Sequence, residues 1–311
     1  MGPGLDRGEG IANDAAALEA PPRSGPGRRL AAFFFHHPKA ALGFLLSGPI
    51  GWLVVAYLGS LAVLFVAALW RLDPFTAEIV HDYSFRNFQL LWESDVYRTI
   101  ALRTIGIAVA VTLTDALLAL PIAFYMAKVA SPRVRALLVV AVLMPLWSSY
   151  LVKVYAWRIM LQENGLVNWA LAPLGLSGPG FGNVAVWLVM SYLWLPYMII
   201  PVFAGFERIP NSLLEASADL GGKALRTFAR VVLPVVFPAV VAGSIFTFSL
   251  TLGDFITPQL VSSTQFIANV VYVNVGVANN LPLAAAFATV PVVVMIAYLA
   301  VAKRLGAFEA L

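Results

Sequence analysis

Apolar residues run in long unbroken blocks along this chain. They neither alternate nor recur every third or fourth position. Six blocks, near 50–70, 104–127, 136–157, 183–206, 231–253 and 284–302, come close to or exceed a spanning length. A helix rising 1.5 Å per residue needs roughly 20 apolar residues to cross about 30 Å of hydrocarbon. Each block therefore predicts a transmembrane helix. Barrel strands would alternate and be about half as long. The predicted fold class is all-α: a polytopic membrane protein with about six transmembrane helices.

Composition supports this. Hydrophobic residues make up 60% of the 311 and charged residues only 12%, whereas a soluble domain carries about a quarter charged. The net charge of +4 does not point to nucleic acid, because the basic residues are scattered at the ends of apolar blocks. The chain has no cysteine, so disulfides, thiolate chemistry and cysteine–zinc sites are excluded. Its three histidines, two of them adjacent (His36, His37), lack metal-ligand spacing.

Loop charge predicts orientation. Arg23, Arg28, Arg29 and Lys39 precede the first block, Lys128, Arg133 and Arg135 follow the second, and Lys303 and Arg304 follow the sixth. The loop after the first block is acidic on balance, with Asp73, Glu78, Asp82, Glu93 and Asp95. Basic loops stay in the cytoplasm, so both termini and the loop between the fourth and fifth blocks are expected inside. Residues 1–40, rich in Gly, Ala and Pro at their start, read as a disordered cytoplasmic tail, and 41–311 as the transmembrane domain. The first block is too long and starts too late for a secretory signal peptide.

The loop between the fourth and fifth blocks reads IPNSLLEASADLGGKALRTFARVVLP. Ser212 and Glu215 have the spacing of a capping box. A short helix is predicted through Leu220, with Gly221 at the left-handed position that ends a helix and Gly222 extending the turn. Pro234 falls in the first turns of the fifth span. Leu213, Leu214 and Leu220, with small Ala216, Ser217 and Ala218, leave apolar surface outside the membrane. Such surface marks a partner contact, or else an amphipathic connector lying on the bilayer.

Glu215-Ala216-Ser217, three residues, Gly221, nine residues, then Val231-x-Leu233-Pro234 resembles the EAA loop of ABC importer permeases. Ser217 replaces the second alanine and Val231 the usual isoleucine. The resemblance implies the type I ABC importer permease fold, with a cytoplasmic coupling helix near 208–228 docking in a groove of an ATP-binding subunit. Glu215 and Gly221 would shape that helix, and Leu213, Leu214, Ala216 and Leu220 would sit in or near the groove. Ser212, Ser217 and Asp219 complete the segment. DYSFRNFQLLWES, MPLWSSYLVKVYAWRIML and SLTLGDFITPQLV look like the spermidine/putrescine branch. By resemblance the partners are an ATP-binding subunit dimer, a second related permease and an extracytoplasmic solute-binding protein, besides membrane lipid. No cofactor is expected on this chain; ATP and Mg belong to the partner ATPase. The localisation implied is the bacterial inner membrane.

No phosphate-cradling loop occurs: Gly221-Gly222-Lys223 is followed by Ala224 and lacks the upstream glycine. Protease and lipase signatures are missing too, so the chain is expected to be non-catalytic. A membrane enzyme would need clustered acids, histidines or a nucleophile motif. A stand-alone carrier or channel would need more intramembrane charge and no docking loop.

Charges inside spans are costly and need a reason. Ser244, Thr247, Thr251 and Asp254 recur at i, i+3, i+7 and i+10, one face of a helix. Tyr150, Lys153 and Trp157 share a face of the third block. The functional reading is a solute path, with Asp254 and Glu163 as carboxylates and Trp147, Tyr150 and Trp157 as aromatic faces for a polycation. The plainer reading is interhelical hydrogen bonding, with Lys153 paired to an acid or snorkelling. Asp115 is expected to pair with Arg103 or a neighbouring helix. Interior prolines (Pro121, Pro145, Pro196, Pro201, Pro238, Pro291) predict kinks, without marking one as a hinge.

Overall fold

The computed structural model describes residues 35–304. Most of the predicted tail lies outside them. By internal contact the chain divides into two units, Met1–Ala62 and Val63–Leu311. The described part of the first unit is helical and belongs mainly to span α1 (Ala41–Ala67). Its apolar side chains, Leu45, Trp52, Val55 and Tyr57 among them, are exposed, as a lipid-facing helix requires.

In the second unit the end of α1 is followed by a short antiparallel hairpin, β1 (Arg71–Leu72) against β2 (Ile79–Val80). Asp73 closes its turn by accepting the Phe75 and Thr76 amides, and these bonds hold its carboxyl below the usual range. The short helix α2 (Arg86–Glu93) leads into α3 (Asp95–Val129). Helices α4 (Pro132–Trp147) and α5 (Tyr150–Met160) follow, then α6 (Leu166–Leu171), α7 (Asn183–Glu207), α8 (Asn211–Asp219) and α9 (Ala224–Gly253). Two short helices, α10 (Ile256–Val261) and α11 (Ile267–Gly276), precede α12 (Leu281–Arg304).

Among the described residues five helices are long and apolar enough to cross a membrane, six if α4 and α5 form one span. That span departs from expectation: α4 and α5 meet at 93° instead of forming one rod over 136–157. The break follows Pro145. Ser148 and Ser149 are extended, and the Pro145 carbonyl accepts from Ser148 Oγ at 2.8 Å and Lys153 Nζ at 2.9 Å. A broken span must satisfy its freed backbone groups from inside the protein. Lys153 does this, and among the described residues it forms no ion pair with an acid. Span α3 also begins earlier than expected, at Asp95 instead of 104. An acid in a helix's first turn is favoured by the helix dipole, and Arg98 pairs with Asp95 one turn on.

Span α7 packs against both α3 and α9. In lipid the apolar effect gives little reason for helices to associate, so close packing of small residues has to do it. A Cβ on Gly205 would stand 2.6 Å from the Ala239 side chain, and one on Gly243 would stand 2.8 Å from Met198 Sδ. At one end of these helices Met126, Met198, Val202, Phe206, Val232 and Val236 form a buried cluster. Phe124 sets its ring edge-on to both Phe206 and Phe228 there.

The expected Asp115–Arg103 pair does not form. Arg103 instead donates to the Gln265 carbonyl at 3.1 Å. Asp115 is 0% exposed, and among the described residues neither of its oxygens has a hydrogen-bond partner. A carboxylate at this depth costs about 2.5–3.5 kcal/mol on insertion scales. Asp115→Asn keeps the shape without the ionisable oxygen. It is expected to reach the membrane at wild-type level and to melt in detergent no lower than wild type. A fall of several degrees would mean the carboxylate makes a stabilising contact.

Candidate functional site

Two places bring predicted residues together. The first is the hairpin between α7 and α9. Helix α8 starts at Asn211, with Pro210 as its N-cap in extended conformation and no side-chain cap. The predicted capping box is therefore not formed. Ser212 lies one residue inside the helix, where its own amide is already part of the first turn, and Pro210 has no side-chain acceptor to offer. Glu215 is left exposed.

The end of α8 follows the expectation. Gly221 has φ +73°. Its amide donates to the Ala218 carbonyl at 2.8 Å, and the Gly222 amide donates to the Ser217 carbonyl at 2.8 Å. These are the two bonds of a Schellman motif. Gly222 has no room for a side chain: a Cβ would meet Ser217 O and Ser217 Oγ, each at 2.6 Å. Ser217 Oγ is also hydrogen-bonded to Thr227 Oγ1 at 2.7 Å, clipping α8 to the start of α9.

The leucines divide by environment. Leu214 packs on the cluster around Phe206 and Val232. Leu213 is 42% exposed, Leu220 90% and Leu225 81%. Ala216 and Asp219 are exposed, and Ser217 is half-buried. Leu213, Ala216, Leu220 and Gly221, with Arg226 and Arg230, line an open groove of about 370 Å³. The hairpin is thus anchored by one leucine and clipped by a hydroxyl pair, and it presents the other leucines to solvent.

Sequence reading missed how this hairpin is seated. Lys128 Nζ donates to the Ile209 carbonyl at 2.6 Å and lies 3.4 Å from Asn211 Oδ1. Arg135 donates to the Met126 and Ala127 carbonyls at 3.0 and 2.8 Å and lies 3.4 Å from Glu207 Oε1. Both cations were legible only as loop charges.

The second place is the junction of α5, α7, α9 and α10. Asp254 Oδ1 accepts Tyr150 Oη at 2.5 Å and the amides of Ile256 and Thr257 at 2.9 and 3.1 Å. Oδ2 accepts Thr257 Oγ1 at 2.6 Å. The Tyr150 ring stacks on Trp194 at 5.9 Å. Tyr150, Trp194, Ser249 and Asp254 border an open cavity of about 340 Å³. Trp194 and Thr257 were missed. A D-x-x-T spacing was the only local signal for Thr257.

The remaining residues of the expected path do not meet there. Ser244, Thr247 and Thr251 are buried within the chain. Each donates to a carbonyl of its own helix, and Ser244 also bonds Tyr298 Oη at 2.6 Å. In this structure they offer no surface to a path; they seal helix packing. Trp157 packs on Tyr192 at 5.5 Å. Trp147 is 91% exposed, and Glu163 is exposed after α5. None of the three lines the Asp254 cavity.

Comparison with known proteins places these features in a family. Residues 91–307 match the family described as binding-protein-dependent transport system inner membrane component. The chain is 45% identical over 310 residues to the inner membrane ABC transporter permease protein YdcU of Escherichia coli K12, covering 94% of this chain and 98% of that protein. It is 29% identical over 253 residues to the spermidine/putrescine transport system permease protein PotB of the same organism, covering 79% and 90%. In structure it is similar to a chain of a bacterial alginate ABC transporter solved with an alginate-bound periplasmic protein: TM-score 0.68 over 89% of this chain and 97% of that one, at 16% identity. That likeness bears on the fold alone. A mainly helical, multi-pass chain with this match belongs to the binding-protein-dependent transport system inner membrane component family, as a non-catalytic permease subunit of an ABC importer in the inner membrane.

Proposed function

We propose that this subunit imports polyamines, forming half of the path and coupling it to a separate ATPase through α8. In this reading the hairpin and both termini face the cytosol, and α8 docks in a groove of one ATP-binding subunit. A second, related permease completes the path, and a solute-binding protein delivers solute from outside. ATP and Mg act on the ATPase. The observation that carries the coupling role is the capped, clipped hairpin, whose Leu220 and Leu225 stand exposed. Exposed apolar surface on a stiff element suits a partner groove. For the solute, Asp254 beside Tyr150, whose ring stacks on Trp194, has the chemistry a flexible polycation calls for, and PotB is a relative.

Two measurements test these levels separately. Leu220→Asp with Leu225→Asp should abolish copurification of the ATP-binding subunit while leaving this subunit in the membrane; undiminished copurification would refute docking through this face. The purified binding protein should bind spermidine or putrescine. The panel should include an opine-like amino-acid derivative and a metal chelate, because the name of the 45% relative carries no solute. Binding of either in place of a polyamine would replace the solute and leave the coupling role standing.

A further inference from the structure

We infer that Lys128 and Arg135 are positioning residues that make span α3 follow the hairpin, an inference that rests on the coupling role proposed above. The last turn of α3 is a π-turn, Tyr125–Val129, closed by the Ala130 amide on the Tyr125 carbonyl at 2.9 Å. Turns of this kind re-aim side chains and recur at functional sites. Here the turn ends with Lys128 reaching the Ile209 carbonyl at 2.6 Å. Ile209 is buried and immediately precedes Pro210, the residue that caps α8. Arg135, from α4, grips α3 at the Met126 and Ala127 carbonyls and faces Glu207, the last residue of α7.

Two features make this a linkage. The Met126 and Ala127 carbonyls lie in the last turn of α3, where carbonyls lack intrahelical partners and carry the negative end of the dipole, so the Arg135 cation binds them well. The acceptors are also mostly backbone atoms, which cannot swing aside as a side chain can. A displacement of α8 must therefore drag α3 with it or break these bonds. Lys128 carries the direct bond to the hairpin, and Arg135 braces the α3 turn that holds Lys128; Glu207 is the dispensable member, because its contact with Arg135 is a partly exposed pair at 3.4 Å.

The chain has no cysteine, so single reporters can be placed cleanly: Ala218→Cys on α8, and Val96→Cys at the far end of α3. Each is studied in the assembled importer by the change in maleimide labelling rate on adding ATP and vanadate. With Lys128 and Arg135 intact, both reporters are expected to respond. With Lys128→Met and Arg135→Met, position 218 should still respond, while the response at 96 falls roughly tenfold, a coupling loss of ordinary size. Lys128→Arg should restore most of it, and Glu207→Gln should change little. Equal responses at 96 with and without the two cations would overturn the linkage. No response at 218 in the wild-type chain would instead overturn the coupling role itself. If the double variant does not accumulate, Lys128→Met alone carries the same comparison.

Discussion

Gly221→Val is expected to cut ATP-coupled uptake at least about tenfold while leaving the subunit in the membrane at wild-type abundance. The glycine sits at φ +73°, a conformation that costs an ordinary L-residue roughly 1–2 kcal/mol and a β-branched one more. Nothing lies within 4 Å of a Cβ there, so the penalty is in the backbone and cannot be relieved by neighbours moving. The chain would escape by unwinding the Schellman turn. That frees the Gly222 amide from Ser217, separates Ser217 from Thr227, and lets α8 swing about Pro210. Under the proposed coupling role, uptake is expected to fail because a swinging helix would no longer transmit force. Insertion survives because the spans are untouched. Gly221→Asp is the gentler strain test, since aspartate tolerates this conformation better. It adds a charge at the end of α8 instead. Uptake assayed beside an immunoblot of the membrane fraction decides the matter. Normal uptake by the valine variant would mean the end of α8 need not be rigid.

Much of this was legible in the sequence, for reasons that differ by element. Spans α3, α7, α9 and α12 follow from block length, because hydrocarbon thickness imposes a length and composition reports it directly. The end of α8 follows from a glycine pair, because only a few residues accept a left-handed backbone. Its start does not. S-x-x-E permits a capping box, but Pro210 occupies the N-cap, and a pattern cannot say which of two competing starts wins. The break between α4 and α5 hides inside an apolar window, where Ser148 and Ser149 barely lower the hydropathy.

The candidate sites divide the same way. Periodicity places Ser244, Thr247 and Thr251 on one face of α9, yet it cannot say whether that face meets a path or the α12 tyrosine. The Asp254–Tyr150 bond joins residues 104 apart, and the Lys128–Ile209 bond residues 81 apart. Long-range pairings of this kind are set by packing and leave no local trace. Lys128 and Arg135 show this most directly: the charges that predict topology are also the ones that hold the hairpin in place.

Gly243→Leu is expected to prevent stable folding of the subunit, in contrast to Gly106→Leu, which should be tolerated. A Cβ on Gly243 would lie 2.8 Å from Met198 Sδ, 3.2 Å from Met198 Cα and 3.3 Å from Met198 O. The sulfur can move, but the other two atoms belong to the backbone of α7. A leucine there must push α7 and α9 apart. Overpacking costs about 1–3 kcal/mol where side chains can adjust, and more where a backbone must shift. The separation would also forfeit the close approach at Gly205 and Ala239 and loosen the buried cluster on which Leu214 rests. Lipid offers no compensating drive, because tails solvate a separated apolar helix as well as another helix does. Gly106 has nothing within 4 Å of its Cβ, so the same side chain on α3 meets open space. The measurement is abundance in the membrane together with the melting temperature in detergent. If the two leucine variants match each other and the wild type, α7 and α9 do not pack through Gly243.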